Sequence, residues 1–429
     1  VSGRKGRKHG KEVCDLLIMN IRQLLTIPST EGPLSNPDRK SLGIVENGFV
    51  CIDGGIIKEV GEGKPLMRAR RSVDAKNNIV LPGFIDAHTH MIFAGSRERE
   101  FSMRVGGRDY LEIMKEGGGI QSTVQSTRKA SREELFTESY RRLNDILSWG
   151  TTTCEVKSGY GLTTSDEIKM LDVARKLGNE HPVDVIPTFL GAHDVPVEYR
   201  NEKEDYIDLL TNEMIPRVSE GNYARFCDVF CEEGVFNKEE TERILSAGNA
   251  HGLKAKIHVD EFVNIGGCEL AESVHAVSCD HLLKTDEKGI ESMKSAGTIA
   301  VLLPGSNLFL MEEEKPPIQM MRKKGLPIAI ASDFNPGSSP ILSMPVIISL
   351  SCLLYGLTPE EAIVGATVNA AYALEEEGRI GSIEKGKKAD IVVMRYSNYE
   401  EIPYWFAQKR VECIIKGGEI VVGKGGRLN

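Results

Sequence analysis

From residue 79 to about residue 370, short apolar runs alternate with capped helical stretches eight times, and no other feature limits the fold so tightly. The runs are 79–85, 151–156, 184–189, 226–230, 254–258, 276–279, 299–303 and 328–331. Most are continuously apolar, as expected of strands covered on both faces. The helices between them are announced by capping boxes, in which an N-terminal hydroxyl and a glutamate three residues on satisfy each other's backbone N–H groups. These stand at Ser131-Arg-Glu-Glu134, Thr164-Ser-Asp-Glu167 and Thr358-Pro-Glu-Glu361, the last with Pro359 at the first helical position, and Asn237-Lys-Glu-Glu240 is similar. Eight such units fit an α/β fold, a closed TIM-type (β/α)8 barrel. An open doubly wound sheet is the alternative. No Gly-x-Gly-x-x-Gly follows the first run, so a dinucleotide site has no support.

Both flanks of this region are β-rich. Short strands are expected at 15–19, 50–52 and 56–60, around the turn Asp53-Gly54-Gly55, and again at 389–394, 412–416 and 419–422, the last two split by Gly417-Gly418. Two similar ends around a different middle suggest one small β-sandwich domain, made of residues 12–80 and 378–429, beside a barrel of 81–377. Residues 1–11 carry Arg4, Lys5, Arg7, Lys8 and Lys11 with no apolar stretch after them, so they read as a basic, disordered tail and not a secretory signal. The longest apolar run, 344–357, is interrupted by Ser349 and Ser351 and is too short to span a bilayer. A net charge of −9 without a long acidic block argues against a nucleic-acid partner. The nine cysteines are scattered, and Cys227 and Cys231 have no second pair to complete a zinc knuckle. They read as reduced thiols of a cytoplasmic protein.

In a barrel of this type, active groups gather at the C-terminal ends of the strands. The first run ends in Asp86-Ala87-His88-Thr89-His90. Side chains two apart on an extended segment share a face, roughly 6.5–7 Å apart. Both imidazoles can then lean onto one ion at about 2.0–2.1 Å. Alone, such a pair is as readily a surface or capping feature. The later runs end near Glu155 and Tyr160, at His193-Asp194, Glu232-Glu233, His258-Val-Asp-Glu261, Asp280-His281, Asn307, and Asp333-Phe-Asn-Pro-Gly-Ser338. Five of nine histidines fall on this rim, while His9, His181, His251 and His275 do not. That convergence points to a metal site. His88, His90, His258 and Asp333 would make a mixed nitrogen and oxygen donor set suited to zinc or iron, with no thiolate placed to compete. A metal there can lower the pKa of bound water from about 15.7 to about 7. His281 and Asp333 are candidates to orient that water and carry its proton.

The order His-x-His, His, His, Asp on runs one, five, six and eight resembles the metal pattern of the amidohydrolase superfamily. The tail Gly378-Arg-Ile-Gly-Ser-Ile-Glu-Lys-Gly-Lys-Lys-Ala-Asp-Ile-Val-Val393 is similar to the one by which those enzymes re-enter their small sheet domain. Within the superfamily the chain most resembles the branch that opens the imidazolone ring in histidine degradation. The similarity extends over nearly all of the chain from about residue 13. It is carried by His88-Thr-His-Met-Ile-Phe-Ala-Gly-Ser-Arg97, Gly117-Gly-Gly-Ile120, Glu155-Val-Lys-Ser-Gly-Tyr-Gly-Leu162, Gly191-Ala-His193, His258-Val-Asp-Glu261 and Asp333-Phe-Asn-Pro-Gly-Ser338.

The resemblance implies a metal-dependent cyclic amidohydrolase that converts 4-imidazolone-5-propanoate to N-formimidoyl-L-glutamate. It also implies one Zn²⁺ or Fe²⁺/Fe³⁺ per subunit, a homodimer, and a small-molecule substrate with no nucleic-acid or membrane partner. By matching position, His88, His90, His258 and Asp333 would hold the metal. Arg97 would clamp the substrate carboxylate, Tyr160 would touch ring and side chain, and His193 would donate to the carbonyl oxygen. Glu261 would hydrogen-bond the ring nitrogens. Asn335, Gly337 and Ser338 would line the site, and His281 with Asp333 would pass the proton to the departing nitrogen. Read without the resemblance, Arg97 is a surface arginine in the run Arg97-Glu-Arg-Glu100, Tyr160 a packed aromatic, and Glu261 a helix N-terminal acid. Lys157 is read as structural, because the resemblance implies a single metal. Gly117-Gly118-Gly119 is either a lid or a plain loop. A related amidohydrolase or deaminase acting on another cyclic amide or nucleobase is the first rival, and it would not need Arg97. A barrel that has lost catalysis is the second, and the full set of ligands speaks against it.

Overall fold

A computed structural model of the chain describes residues 13–28, 32–65, 67–108 and 118–423. The basic segment 1–11 and Gly117 lie outside the described residues. Eight parallel strands follow one another in sequence order: Phe84–Asp86, Thr151–Lys157, Asp184–Ala192, Phe226–Cys231, Lys254–Val259, Ser278–His281, Ile299–Leu302 and Ile328–Ile330. The two ends of that sheet meet. Thr89 bridges Phe334 in parallel, Asp333 N–H donates to the His88 carbonyl at 3.0 Å, and His90 N–H donates to the Phe334 carbonyl at 2.9 Å. The sheet is therefore a closed barrel, and a doubly wound arrangement is excluded. The seam falls on the residues that the rim brings together, so closing the barrel and assembling the site are one event.

The strands are buried on both faces, which is why they read as continuous runs. The first run is an exception of a different kind. It is not one strand over 79–85. Ile79–Pro82 pairs with Val13–Leu25 and with Ile391–Met394 in a second sheet, and the barrel starts only at Phe84. Gly83 is the joint. Its N–H donates to the Asp390 carbonyl at 2.9 Å, and a Cβ built there would lie 2.3–2.8 Å from the side chain of Thr152. Thr152 is β-branched and buried, so it has nowhere to turn. Gly83→Ala is expected to cost about 1–3 kcal/mol of stability by overpacking, read as a lower urea midpoint at unchanged slope.

The second sheet has the strand order Glu419–Val422, Val411–Lys416, Ile391–Met394, Ile79–Pro82, Val13–Leu25, Ile44–Asp53 and Ile56–Glu62. It is thus built from both ends of the chain, as its texture suggests. Alternate residues of Val13–Leu25 are buried, with Leu16, Ile18, Ile21 and Leu24 in a small core shared with Val50, Ile52, Val393 and Ile415. An eighth strand, Arg68–Asp74, pairs parallel to Val13–Leu25. It escapes sequence reading because it is polar and largely exposed.

Three of the four capping boxes form, at Ser131/Glu134, Asn237/Glu240 and Thr358/Glu361. The fourth does not. Thr163 caps the helix Thr164–Glu180 by accepting from Asp166 N–H, and Glu167 turns inward instead. The sixth strand begins at Ser278 rather than 276, so Asp280 and His281 lie within it. All nine cysteines are free thiols. Among the described residues no helix is long and apolar enough to cross a membrane.

Candidate active site

Each metal-ligand candidate sits where a barrel strand gives way to its loop. His88 and His90 follow Phe84–Asp86, His258 lies in Lys254–Val259, and Asp333 follows Ile328–Ile330. All four are almost wholly buried. His88 Nε2 lies 3.4 Å from Asp333 Oδ1, His90 Nε2 lies 3.6 Å from the same oxygen, and His258 Nε2 lies 3.5 Å from His90 Nε2. Four donors about 2.0–2.1 Å from one tetrahedral ion would stand roughly 3.3 Å apart. The spacing fits that arrangement. His88 Nε2, moreover, is buried with no hydrogen-bond partner among the described residues. A bare nitrogen aimed at a carboxylate oxygen and two imidazoles is a donor set in want of a cation. His281 also comes close enough to share a cluster with His88 and His258, so distance alone does not separate it from the ligands.

Two carboxylates that sequence reading gave no role hold the far sides of these rings. His88 Nδ1 bonds Asp280 Oδ2 at 2.6 Å, and Asp280 Oδ1 accepts from Ser278 Oγ at 2.7 Å. His258 Nδ1 lies 2.9 Å from Asp228 Oδ2. A carboxylate hydrogen-bonded to Nδ1, as at His88, fixes the tautomer and leaves the Nε2 lone pair for the metal; Asp228 lies beside His258 Nδ1 at ion-pair distance without a formed hydrogen bond. Asp228 had a legible signal, a charge inside the otherwise apolar strand Phe226–Cys231. Burying an ionisable group in such a run is costly unless it is paired.

Burial drives down the pKa of His88, His90 and His281, and neighbouring positive groups add to the effect. These rings are neutral and ready to ligate near pH 7. Asp333 is different. Burial pushes its carboxyl up to about 7. A ligating carboxylate must shed its proton, so metal affinity should be level above pH 7. Below it, affinity should fall by about tenfold per pH unit. Chelator competition at pH 5.5, 6.5 and 8 reads this out.

A cavity open to solvent lies over the donors. Arg97 borders it. Its Nε and Nη2 both face Glu100 Oε2, at 2.9 and 2.8 Å, and that oxygen also accepts from Gly119 N–H at 3.2 Å. Glu100 therefore braces the guanidinium, and the surface-arginine reading is wrong in that Arg97 is buried. Arg97 Nη1 lies beside Gly337, where a Cβ would come within 1.9 Å of it. Asn335 lines the cavity, but its amide is fully engaged in the turn. Its Nδ2 donates to the Asp333 carbonyl and to Ser338 Oγ, both at 2.7 Å. Its Oδ1 accepts from Gly337 N–H at 2.8 Å and Ser338 N–H at 2.7 Å. Two donors and two acceptor sites are the whole capacity of the group. Asn335 shapes the site, and Ser338 Oγ reaches Asp333 Oδ2 at 3.3 Å.

Tyr160 is buried with its ring 5.7 Å from that of His90 and 5.3 Å from that of His193. Its loop is held by Glu167, whose carboxylate accepts from Gly159, Gly161 and Leu162 N–H groups. This is where the missing capping glutamate went. Gly159 in turn accepts from His193 Nδ1 at 3.0 Å. A carbonyl can only accept, so the proton of neutral His193 is on Nδ1 and its Nε2 is bare. Burial, with His258 nearby, drives the His193 pKa down to about 3. Donating to a carbonyl oxygen would therefore require a second proton on this ring. Glu261 is buried, 3.5 Å from His281 Nδ1, and burial with the nearby Asp333 charge raises its pKa well above the usual range. Its loop is pinned by Glu232, which accepts from Phe262 and Val263 N–H groups. Of the residues given a role in the site from sequence, all but His88 border that cavity, and His88 stands one contact behind it.

A model of the amidohydrolase family matches residues 104–422. The imidazolonepropionase of Geobacillus kaustophilus (strain HTA426) is 47% identical over 418 residues, covering 96% of this chain and 98% of that protein. The imidazolonepropionase of Alkaliphilus metalliredigens (strain QYMF) is 43% identical over 416 residues, covering 96% and 99%. Among solved structures, an adenosine deaminase from Xanthomonas campestris with bound zinc is similar at a TM-score of 0.73 and 18% identity, over 98% of this chain and 95% of that one. The ochratoxinase of A. niger is similar at 0.68 and 18%, over 97% of each chain. At such identities the structural likeness speaks for the fold alone.

Proposed function

The chain belongs to the imidazolonepropionase family of amidohydrolases, and on that premise we propose that it hydrolyses 4-imidazolone-5-propanoate to N-formimidoyl-L-glutamate. The observation that carries this reading is the meeting of three imidazole nitrogens and one carboxylate oxygen beneath a cavity bordered by a braced arginine. His88, His90, His258 and Asp333 would hold one zinc or iron ion per subunit, a choice that nitrogen and oxygen donors leave to either metal. When bound, the metal would polarise the ring carbonyl and acidify the attacking water.

The rest falls to the chain's own side chains. Arg97 pairs with the propanoate carboxylate and fixes which way the ring lies. Tyr160 packs against the ring. Glu261, whose burial favours the protonated form, can in that form both donate to and accept from the ring nitrogens. Water adds to the carbonyl carbon and the ring C–N bond breaks. Asp333 and His281 take the proton from the water and deliver it to the leaving nitrogen. His193 faces the carbonyl oxygen through Nε2. It can steady the developing oxyanion once it takes up a proton from solvent through the open cavity, which the negative charge forming there favours, and it returns that proton to solvent as the carbonyl re-forms. Gly337 and Ser338 complete the wall. Family membership supports a cytoplasmic homodimer acting on a small molecule, without nucleic acid or membrane. The two sheets support a division into a barrel and a sheet domain made from both ends of the chain, with the first boundary at Gly83 in place of the expected 80/81.

The test is product identification with freshly prepared 4-imidazolone-5-propanoate. N-formimidoyl-L-glutamate should form one for one with substrate consumed. Release of ammonia, or turnover of neutral ring substrates alone, would favour a deaminase or another cyclic amidohydrolase.

A further inference from the structure

Lys157 closes the second barrel strand, Thr151–Lys157, with its side chain wholly buried. Its ammonium lies 2.6 Å from Asp228 Oδ2, 3.0 Å from Glu155 Oε2 and 3.5 Å from Asp280 Oδ2. The Asp228 oxygen is the one 2.9 Å from His258 Nδ1, and the Asp280 oxygen is the one bonded to His88 Nδ1. A single cation therefore faces both atoms that hold the far sides of two metal-facing rings. We propose that Lys157 is a positioning residue for the metal: it clamps Asp228 and Asp280 together so that Nε2 of His258 and Nε2 of His88 aim at one point. This rests on the reading in which those rings hold the metal.

The physical reason is charge. Asp228 and Asp280 are wholly buried, and two carboxylates so close in a medium of low dielectric repel each other strongly unless a cation stands between them. Remove the ammonium and that repulsion drives the pair apart. The imidazole behind each then loses the contact that aims it, and His88 loses its hydrogen bond as well. Glu155 completes the balance from below, where its other oxygen meets Lys256 Nζ at 2.8 Å. The arrangement also excludes a different use of a strand-end lysine, as a carboxylated bridge between two metals. That chemistry needs a neutral amine, and three carboxylates within 3.5 Å of this nitrogen favour its charged form over the burial that opposes it.

Lys157→Met keeps the length of the side chain and removes the charge. The measurement is the zinc dissociation constant of the stripped, full-length protein by chelator competition, with the thermal midpoint of the metal-free protein beside it and the visible spectrum after cobalt replacement. Zinc affinity is expected to fall by about 10–100-fold with a changed cobalt spectrum. The combined loss in Lys157→Met/Asp228→Asn should be smaller than the product of the separate losses, because the lysine acts through the carboxylates. That double variant also conserves net charge, and compared with Asp228→Asn alone it serves if Lys157→Met does not fold. A folded Lys157→Met with native zinc affinity and spectrum, or losses that simply multiply, would overturn the proposal; a lower apoprotein midpoint alone would mark a merely structural lysine. His88→Ala is the control. If it binds zinc as tightly as the native chain, the metal reading itself has failed, whatever Lys157 does.

Discussion

Replacing His88 by alanine is expected to abolish metal binding and turnover together. This ring meets the site through both of its nitrogens. Its Nε2 faces Asp333 at 3.4 Å, its Nδ1 bonds Asp280 at 2.6 Å, and its ring packs against those of His90, His258 and His281. Removing it breaks the donor set and leaves Asp280 without its ring. Metal assistance supplies several kcal/mol of transition-state stabilisation, so at roughly 1.4 kcal/mol per decade the loss in kcat should be at least about 10³-fold. The backbone bond from Asp333 N–H to the His88 carbonyl does not involve the side chain, so the barrel seam should persist. Metal content per chain and kcat, measured on one preparation, check both halves. Full activity in metal-free His88→Ala would refute the scheme.

Arg97→Ala should raise KM by about 10–100-fold, the worth of one or two charge-assisted hydrogen bonds at about 1.5–3 kcal/mol, with a smaller fall in kcat. Gly337→Ala should imitate it. The added methyl would sit 1.9 Å from Arg97 Nη1, and the guanidinium, at the end of a flexible side chain, is what gives way. The backbone at Gly337 does not require a positive φ, so this variant should fold with near-native stability while its KM rises. An unchanged KM in both would remove the carboxylate clamp and favour a substrate without an acidic arm.

Much of this was legible because barrels bury their strands on both faces and place their chemistry at the ends. Continuous apolar runs gave the eight strands, and the histidines that ended them pointed to one rim. What escaped notice has physical causes. Gly83 hides the break between two sheets, because both sheets bury apolar residues and the run reads through. Arg68–Asp74 is a polar edge strand with no alternation to see. Thr164-Ser-Asp-Glu167 has the spacing of a capping box, but the three N–H groups of the Tyr160 loop compete for Glu167 and win. Asp228 was marked only by its charge within a buried strand, and Asp280 and Lys157, though visible near strand ends, lie behind the rings, where spacing alone assigns them no contact with a ligand. Asn335 was placed in the right turn, yet its sequence could not tell that four bonds within the turn already occupy its amide.

X-ray absorption at the K edge of the metal in the native, metal-loaded protein bears most directly on whether three imidazoles and one carboxylate share a single ion. The expected shell holds only nitrogen and oxygen scatterers, with the multiple-scattering signature of about three imidazoles, and one metal per chain. A sulfur scatterer, a second metal at short range, or a shell that survives unaltered in His88→Ala would contradict it.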